Sequence, residues 1–202
     1  RVDQSMNKPF SQACANNRGP ISSVLVRLLS KSTSVLELGS GTGQHAVWFA
    51  QQLPNIHWQT SDREENHTGI RQWLDDSGLD NIGYPICMHI GRDTWPTVSF
   101  DAVFSSNTAH IMAWPEVEIM FSAVGNILAR GGLFFLYGPM MYSGIIAEES
   151  NRTFDCRLKA SNPQQGIRDF NALNQLALTV GLHLLEDNPM PANNRLIIWQ
   201  KS

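Results

Sequence analysis

The run Val35-Leu36-Glu37-Leu38-Gly39-Ser40-Gly41-Thr42-Gly43-Gln44-His45 constrains this chain more than any other stretch. It reads as an apolar strand carrying an acidic residue near its end, a turn with glycine at every second position, and a helix start. Glycines so spaced allow a backbone with φ > 0 and bring a ligand close to the main chain. The helix that follows offers unpaired N–H groups to a polar ligand. Two readings follow, a nucleotide-type cofactor site or a strand–turn–helix corner whose glycines serve packing. The dinucleotide fingerprint would put its third glycine at position 44. Here Gln44 stands there and the third glycine comes early, at Gly43.

With 202 residues, 42% of them hydrophobic, the chain is long enough for one well-buried core, and a single domain, 1–202, is expected. No run approaches the ~20 apolar residues that cross a bilayer, and the first residues lack the shape of a signal peptide. A soluble, cytoplasmic protein without membrane partners is therefore expected. A net charge of −3 with 15 thinly spread basic residues argues against a nucleic-acid partner. The three cysteines form no Cys-x-x-Cys pair, which suits a reducing compartment, and no histidine lies at ligand spacing from another His or Cys, so no metal is expected. Oligomeric state is not written in such features.

Along the chain, 6–20 is polar with two prolines and reads as an irregular lead-in, with Pro20 near the start of a helix carrying Ile21, Val24, Leu25, Leu28 and Leu29. The arm 1–20 is either exposed or a lid through which Asn17 and Arg18 reach a cofactor. A helix follows the glycine turn, then a second strand at 56–60. Asp62 beyond that strand stands where an acidic side chain accepts ribose hydroxyls, with Arg63 beside it. It is also placed to cap the next helix, with Glu65 three residues on. Helix 66–74, a turn-rich 75–83 and a third strand at 84–90 come next. A fourth strand at 101–105 ends in Ser106-Asn107-Thr108-Ala109-His110.

A helical period from Val117 stops at Arg130-Gly131-Gly132, and 133–137 is a buried fifth strand. The segment 140–166 lacks periodicity and is read as a substrate-lid insertion holding Tyr142, Asn151, Arg152 and Asp155. A last helix follows Arg168-Asp169. Strands at 183–186 and 196–199 close the chain as an antiparallel hairpin around Asn193 and Asn194. Strands alternating with helices predict an α/β Rossmann-like three-layer sandwich with a mainly parallel sheet.

The pattern acidic-x-Gly-x-Gly-x-Gly resembles the first motif of class I S-adenosylmethionine (SAM) methyltransferases. The ordered set Gly39-Ser40-Gly41-Thr42-Gly43-Gln44-His45-Ala46, Ser106-Asn107-Thr108-Ala109-His110-Ile111 with Trp114, and Leu136-Tyr137-Gly138-Pro139 is similar to one branch of them. So are Ser150-Asn151-Arg152-Thr153-Phe154-Asp155, Gly166-Ile167-Arg168-Asp169 and Met190-Pro191-Ala192-Asn193-Asn194. That branch is domain-of-unknown-function family 938, which includes methyltransferase-like protein 26. The resemblance implies a seven-stranded sheet with a reversed last strand, SAM as methyl donor and S-adenosylhomocysteine as product. It implies Glu37, Gly39 and Gly41 around the methionyl and ribose parts, with Ser40, Gly43 and His45 in the same turn. Asp62 and Arg63 fall at the ribose and Asn107 at the methionyl part. Where the family tends to Leu-Asp-Val at the third strand's end, this chain has Met88-His89-Ile90, so His89, a backbone carbonyl or Asp93 would meet the adenine amino group.

Methyl transfer from a sulfonium needs an aligned acceptor, exclusion of water and, for a weak nucleophile, removal of a proton. His110 and Tyr142 are the candidate catalytic groups, His110 as base or as hydrogen-bonding orienter. Tyr142, Asn151, Arg152, Asp155, Arg168, Asn193 and Asn194 are the candidate acceptor contacts; Arg168-Asp169 can equally form a helix cap or internal ion pair. A small-molecule acceptor, methylated on O, N or S, is expected. A protein acceptor, a SAM-binding module without turnover, and a nicotinamide oxidoreductase are the alternatives.

Overall fold

The structure, a computed structural model, describes residues 8–202. The first seven residues of the expected arm lie outside the described residues. The chain forms two compact units, Arg1–His89 and Ile90–Ser202. Its main sheet has seven strands in the order β3-β2-β1-β4-β5-β9-β8, the Rossmann-like arrangement expected.

In the first unit the order is α1 (Gln12–Leu28), β1 (Ser34–Leu38), α2 (Gln44–Gln52), β2 (His57–Asp62), α3 (His67–Ser77) and β3 (Ile82–Cys87). β2 pairs in parallel with both β1 and β3, with Val35 opposite Trp58 and Ser61 opposite Ile86. Val35, Leu36, Leu38, Phe49 and Trp58 are wholly buried.

The expected irregular lead-in is helical from Gln12, and Pro20 lies inside α1, not at its start. Ser11 is the N-cap, its hydroxyl accepting the Cys14 N–H at 3.3 Å. Proline inside a helix removes a ladder bond. Here both Pro20 and Asn16, whose carbonyl loses its partner, are exposed, so water can replace that bond. β3 also starts earlier than expected and ends at Cys87, which leaves His89 beyond the strand. Pro85 sits within it, as an edge strand tolerates. α3 runs on to Ser77, closed by left-handed Gly78.

The second unit contains β4 (Phe100–Ser106), α4 (Trp114–Ile127), β5 (Leu128–Gly138), β6 (Met140–Met141), α5 (Glu149–Ser161), β7 (Arg168–Asp169), α6 (Phe170–Thr179), β8 (Leu182–Met190) and β9 (Asn194–Lys201). β4 and β5 are parallel, and β9 runs antiparallel to both β5 and β8, which is the expected closing hairpin. Helix α4 ends at Ile127, so Arg130-Gly131-Gly132 lies within the extended span and not at the helix stop. The segment 140–166 is not irregular throughout, since α5 occupies its second half. Its buried positions are Asn151, Asp155 and Leu158, at helical spacing but two of them polar, which hides the period from a hydrophobicity count. β6 and β7 form a small two-stranded parallel sheet that ties the segment's ends.

Candidate active site

In the first unit the glycine turn is held by its neighbour strand. Gly39, Gly41 and Gly43 have φ of 70°, 60° and 93°. Ser40 donates its N–H to Ser61 O at 2.9 Å, and its hydroxyl accepts the Ser61 N–H at 3.1 Å. Gly41 donates to Asp62 Oδ2 at 2.7 Å. A side chain begun at Gly41 would meet nothing within 4 Å, so open space adjoins the turn there. At Gly43 it would meet Ile70 Cα at 3.1 Å and Trp73 Cβ at 3.2 Å, so this glycine also lets α3 pack against the turn.

Two acidic groups flank the turn. Asp62 Oδ1 also accepts from Arg63 N at 2.7 Å and Asn66 Nδ2 at 3.0 Å. A carboxylate has about four acceptor positions. Among the described residues, three protein donors take up part of that capacity. Asp62 is not the N-cap of α3, whose cap position is Asn66. Glu37 is buried, with Trp58 Nε1 donating to it at 3.4 Å. Burial pushes its carboxyl up to about 7, opposed by hydrogen bonds from Ser40 and Trp58 and aided by the Asp62 charge.

From Lys8 onward the arm is clasped to this turn and its helices, with Phe10, Gln12, Ala13, Asn16, Gly19 and Pro20 left exposed. Gln44 Oε1 accepts the Ser11 N–H at 2.5 Å and the Thr42 hydroxyl at 3.0 Å. Asn17 Oδ1 meets His45 Nε2 at 2.6 Å, with His45 stacked on Phe49. Burial, then the Arg18 charge, brings His45 down to about 4, so it is neutral and donates from Nε2. Arg18 lies over the Trp48 ring at 3.9 Å. Trp73 Nε1 donates to Pro9 O at 2.5 Å and Lys8 pairs with Asp76 at 3.0 Å.

In the second unit the residues after β4 gather at one place. Asn107 has φ of 58°, donates its N–H to Tyr137 O at 2.9 Å and keeps an exposed side chain. A side chain begun at Gly138 would lie 3.6 Å from His110 Nδ1 and 3.8 Å from Asn107 Oδ1, so both expected groups border the same glycine. His110 is buried and meets the Phe154 ring edge-on, centroids 5.3 Å apart. Burial, with a smaller contribution from Arg168, lowers it to about 4.

Tyr142 donates to Asp187 Oδ2 at 2.6 Å, and Arg195 Nε donates to Asp187 Oδ1 at 2.8 Å. Burial and this carboxylate raise the phenol well above its ordinary value, so Tyr142 holds its proton and is no base near neutrality. Asp187 and Arg195 were not singled out by sequence, because nothing in the hairpin's pattern ties Asp187 to a tyrosine 45 positions away. The guanidinium groups of Arg152 and Arg168 are each engaged by backbone carbonyls. Arg152 donates to Ile146 O and Ala147 O, both at 2.9 Å. Arg168 donates to the carbonyls of Ala109, Met112 and Gln164 through its Nε and Nη2. Asp155 accepts from Lys159 and from Ile167 N. Asn151 Nδ2 donates to Asn193 O at 3.0 Å, and Asn193 Nδ2 to Ser150 Oγ at 3.0 Å, so these residues join α5 to the hairpin turn. Asn194 Nδ2 donates to Pro191 O within that turn. Among the described residues no cluster of His, Cys, Asp or Glu suits a metal ion.

The fold is that of several solved methyltransferases. An O-methyltransferase family 2 protein from Planctomyces limnophilus, solved with apigenin, has a TM-score of 0.82 at 17% identity over 94% of this chain and 58% of its own. An O-methyltransferase family protein from Burkholderia thailandensis has a TM-score of 0.78 at 13% identity, covering 91% and 56%. Human N-acetylserotonin methyltransferase, solved with SAM, has a TM-score of 0.74 at 14% identity, covering 92% and 55%. The chain thus spans little more than half the length of these proteins. Its class is the Rossmann-like fold that SAM-dependent methyltransferases use. A profile of the family described as protein of unknown function (DUF938) matches residues 8–201, and the chain belongs to that family.

Proposed function

We propose that the chain is a SAM-dependent methyltransferase acting on a small-molecule acceptor, in the cytoplasm, within the branch of its family that includes methyltransferase-like protein 26. The observation that carries this reading is the turn at 39–43: three left-handed glycines between two carboxylates, with open space at Gly41. Such a turn offers acceptors for an ammonium and a hydroxyl. The donors a pyrophosphate would need are engaged, because Gln44 N–H bonds Thr42 Oγ1 at 3.2 Å and the Gln44 side chain grips Ser11. That disfavours a dinucleotide.

SAM would supply a methyl group on a cationic sulfonium. Glu37 and Asp62 would hold its amino and ribose groups, and the 39–43 backbone would lie along it. In the second unit Asn107 presents an exposed amide and His110 a neutral imidazole. A neutral His110 lowered to about 4 is a weak base, so its role is to orient the acceptor by a hydrogen bond. Turnover then depends on alignment and on an acceptor that carries a reactive lone pair. Tyr142 positions the lid through Asp187.

Titration calorimetry with SAM, S-adenosylhomocysteine and NAD tests the cofactor. Binding of the first two without NAD is expected; NAD binding without SAM would sink the proposal. Methyl-labelled SAM incubated with fractionated cell extract should then label a low-mass fraction, whereas label confined to protein would favour a protein acceptor. SAM binding with no transfer would leave a binding module.

A further inference from the structure

We infer that Arg168 is a positioning residue that fixes the loop carrying Asn107 and His110 by gathering that loop's carbonyls; this deepens the methyltransferase reading and rests on it. Residues 107–113, between β4 and α4, contain no helix or strand, and within them the Ile111 N–H donates to Thr108 O at 3.1 Å. Yet Ala109, His110 and Met112 are all buried. Buried carbonyls need partners from elsewhere. The segment at 164–168 supplies them.

Arg168 Nε donates to Ala109 O at 3.0 Å, and its Nη2 donates to Met112 O and to Gln164 O. Gly166 N–H donates to His110 O at 3.0 Å. Three carbonyls, on both sides of the His110 ring and at His110 itself, are therefore held by one short segment. That segment is fixed in turn: Ile167 N–H donates to Asp155 Oδ1 at 2.8 Å, and Arg168 pairs by β-bridge with Met140. The guanidinium also lies 5.8 Å from the Trp114 ring centroid, at the start of α4. A planar fork of donors can meet carbonyls at positions 109 and 112 together, which an ammonium on a flexible stem does poorly. Arg168 thus acts on the acceptor only through His110 and Asn107.

The test uses the full chain with Arg168→Gln and Arg168→Lys and needs no acceptor. Amide hydrogen exchange at residues 108–112 should accelerate roughly tenfold or more in both variants, while β5 and β9 stay protected. The His110 imidazole, followed by NMR of ring-labelled histidine, should move from about 4 toward the free value in both. Arg168 is the charged group that bears on this ring, so charge loss alone would move it in Arg168→Gln. Arg168→Lys keeps the charge, and a wild-type exchange pattern and titration in that variant would overturn the proposal. Unchanged exchange in Arg168→Gln would overturn it too. If Arg168→Gln does not fold, Arg168→Lys still decides. Calorimetry with SAM on the wild type judges the methyltransferase reading separately, since loss of that reading leaves the exchange result untouched.

Discussion

The carboxylate of Asp62, the last residue of β2, accepts the backbone N–H of Gly41 at 2.7 Å, which joins the strand end to the glycine turn. The same carboxylate holds Arg63 N–H and Asn66 Nδ2, so both of its oxygens face donors. Asp62→Asn would turn one of them into an NH₂ group facing a donor. The expected cost is about 1–3 kcal/mol, as for a buried donor left without its acceptor. A lowered thermal midpoint, together with weaker SAM binding by calorimetry, is the outcome to check; an unchanged midpoint would show that the turn does not depend on Asp62.

Gly41 and Gly43 of the turn should not respond alike. Ala at position 43 meets the α3 backbone at Ile70, 3.1 Å away, in addition to a φ of 93°. Ala at position 41 meets no atom within 4 Å and faces only the strain of φ 60°. Gly43→Ala is therefore expected to add about 1–3 kcal/mol of crowding to the ~1 kcal/mol of left-handed strain, and Gly41→Ala to cost only the strain. Chemical denaturation of the two variants side by side measures the difference. Gly41→Ala should instead show its main effect in SAM affinity, because its side chain would occupy the open space beside the turn.

The strand–turn–helix at 35–45 was legible because local chemistry dictates it: only glycine suits its backbone, and the flanking apolar residues are core. The antiparallel hairpin was legible because its closing pair is short. What escaped was structure whose buried face is polar. Asn151 and Asp155 in α5 are buried through bonds to Asn193 O and Ile167 N, partners no periodicity count can see. Pro20 misled because proline marks helix starts more often than interiors, and only the exposure of Asn16 and Pro20 makes it tolerable here. Arg168 read as an acceptor contact, a helix cap or half of an internal ion pair, but its bonds go to three carbonyls that are neighbours only after folding.

Glu37 makes a prediction with a definite sign. Its folded value of about 7 lies above the ordinary 4.5, so between those values the native chain binds more protons than the unfolded chain. Stability on this account falls as pH rises from about 4.5 to about 7 and stays lowered above. Glu37→Gln keeps an amide oxygen for Trp58 Nε1 and abolishes the titration. The variant should gain on the wild type across that window, by on the order of 3 kcal/mol at its upper end. Urea denaturation of both proteins at pH 5 and pH 8 measures the gain, and an equal gap at the two values would contradict it. SAM affinity should fall in the same variant, since a neutral amide cannot pair with an ammonium.

His45 slopes the other way in an overlapping window, so it must be read against a matched variant. Its ring is held near 4 by burial and by the Arg18 charge, while an unfolded histidine titrates near 6.5. The unfolded chain therefore binds more protons between those values, and the stability contributed by neutral His45 is complete above 6.5 and lost as pH falls toward 4. His45→Gln retains an N–H for Asn17 Oδ1 but loses the stacking on Phe49, so it should be less stable than the wild type at pH 7. On acidification the wild type pays for protonating the ring and the variant does not, so the gap should close by on the order of 3 kcal/mol between pH 7 and pH 4. The Glu37 slope is common to both proteins and cancels in the difference. Denaturation curves at half-unit pH steps would show the convergence, and parallel curves would mean that His45 takes up its proton without disturbing the clasp between α1 and the glycine turn.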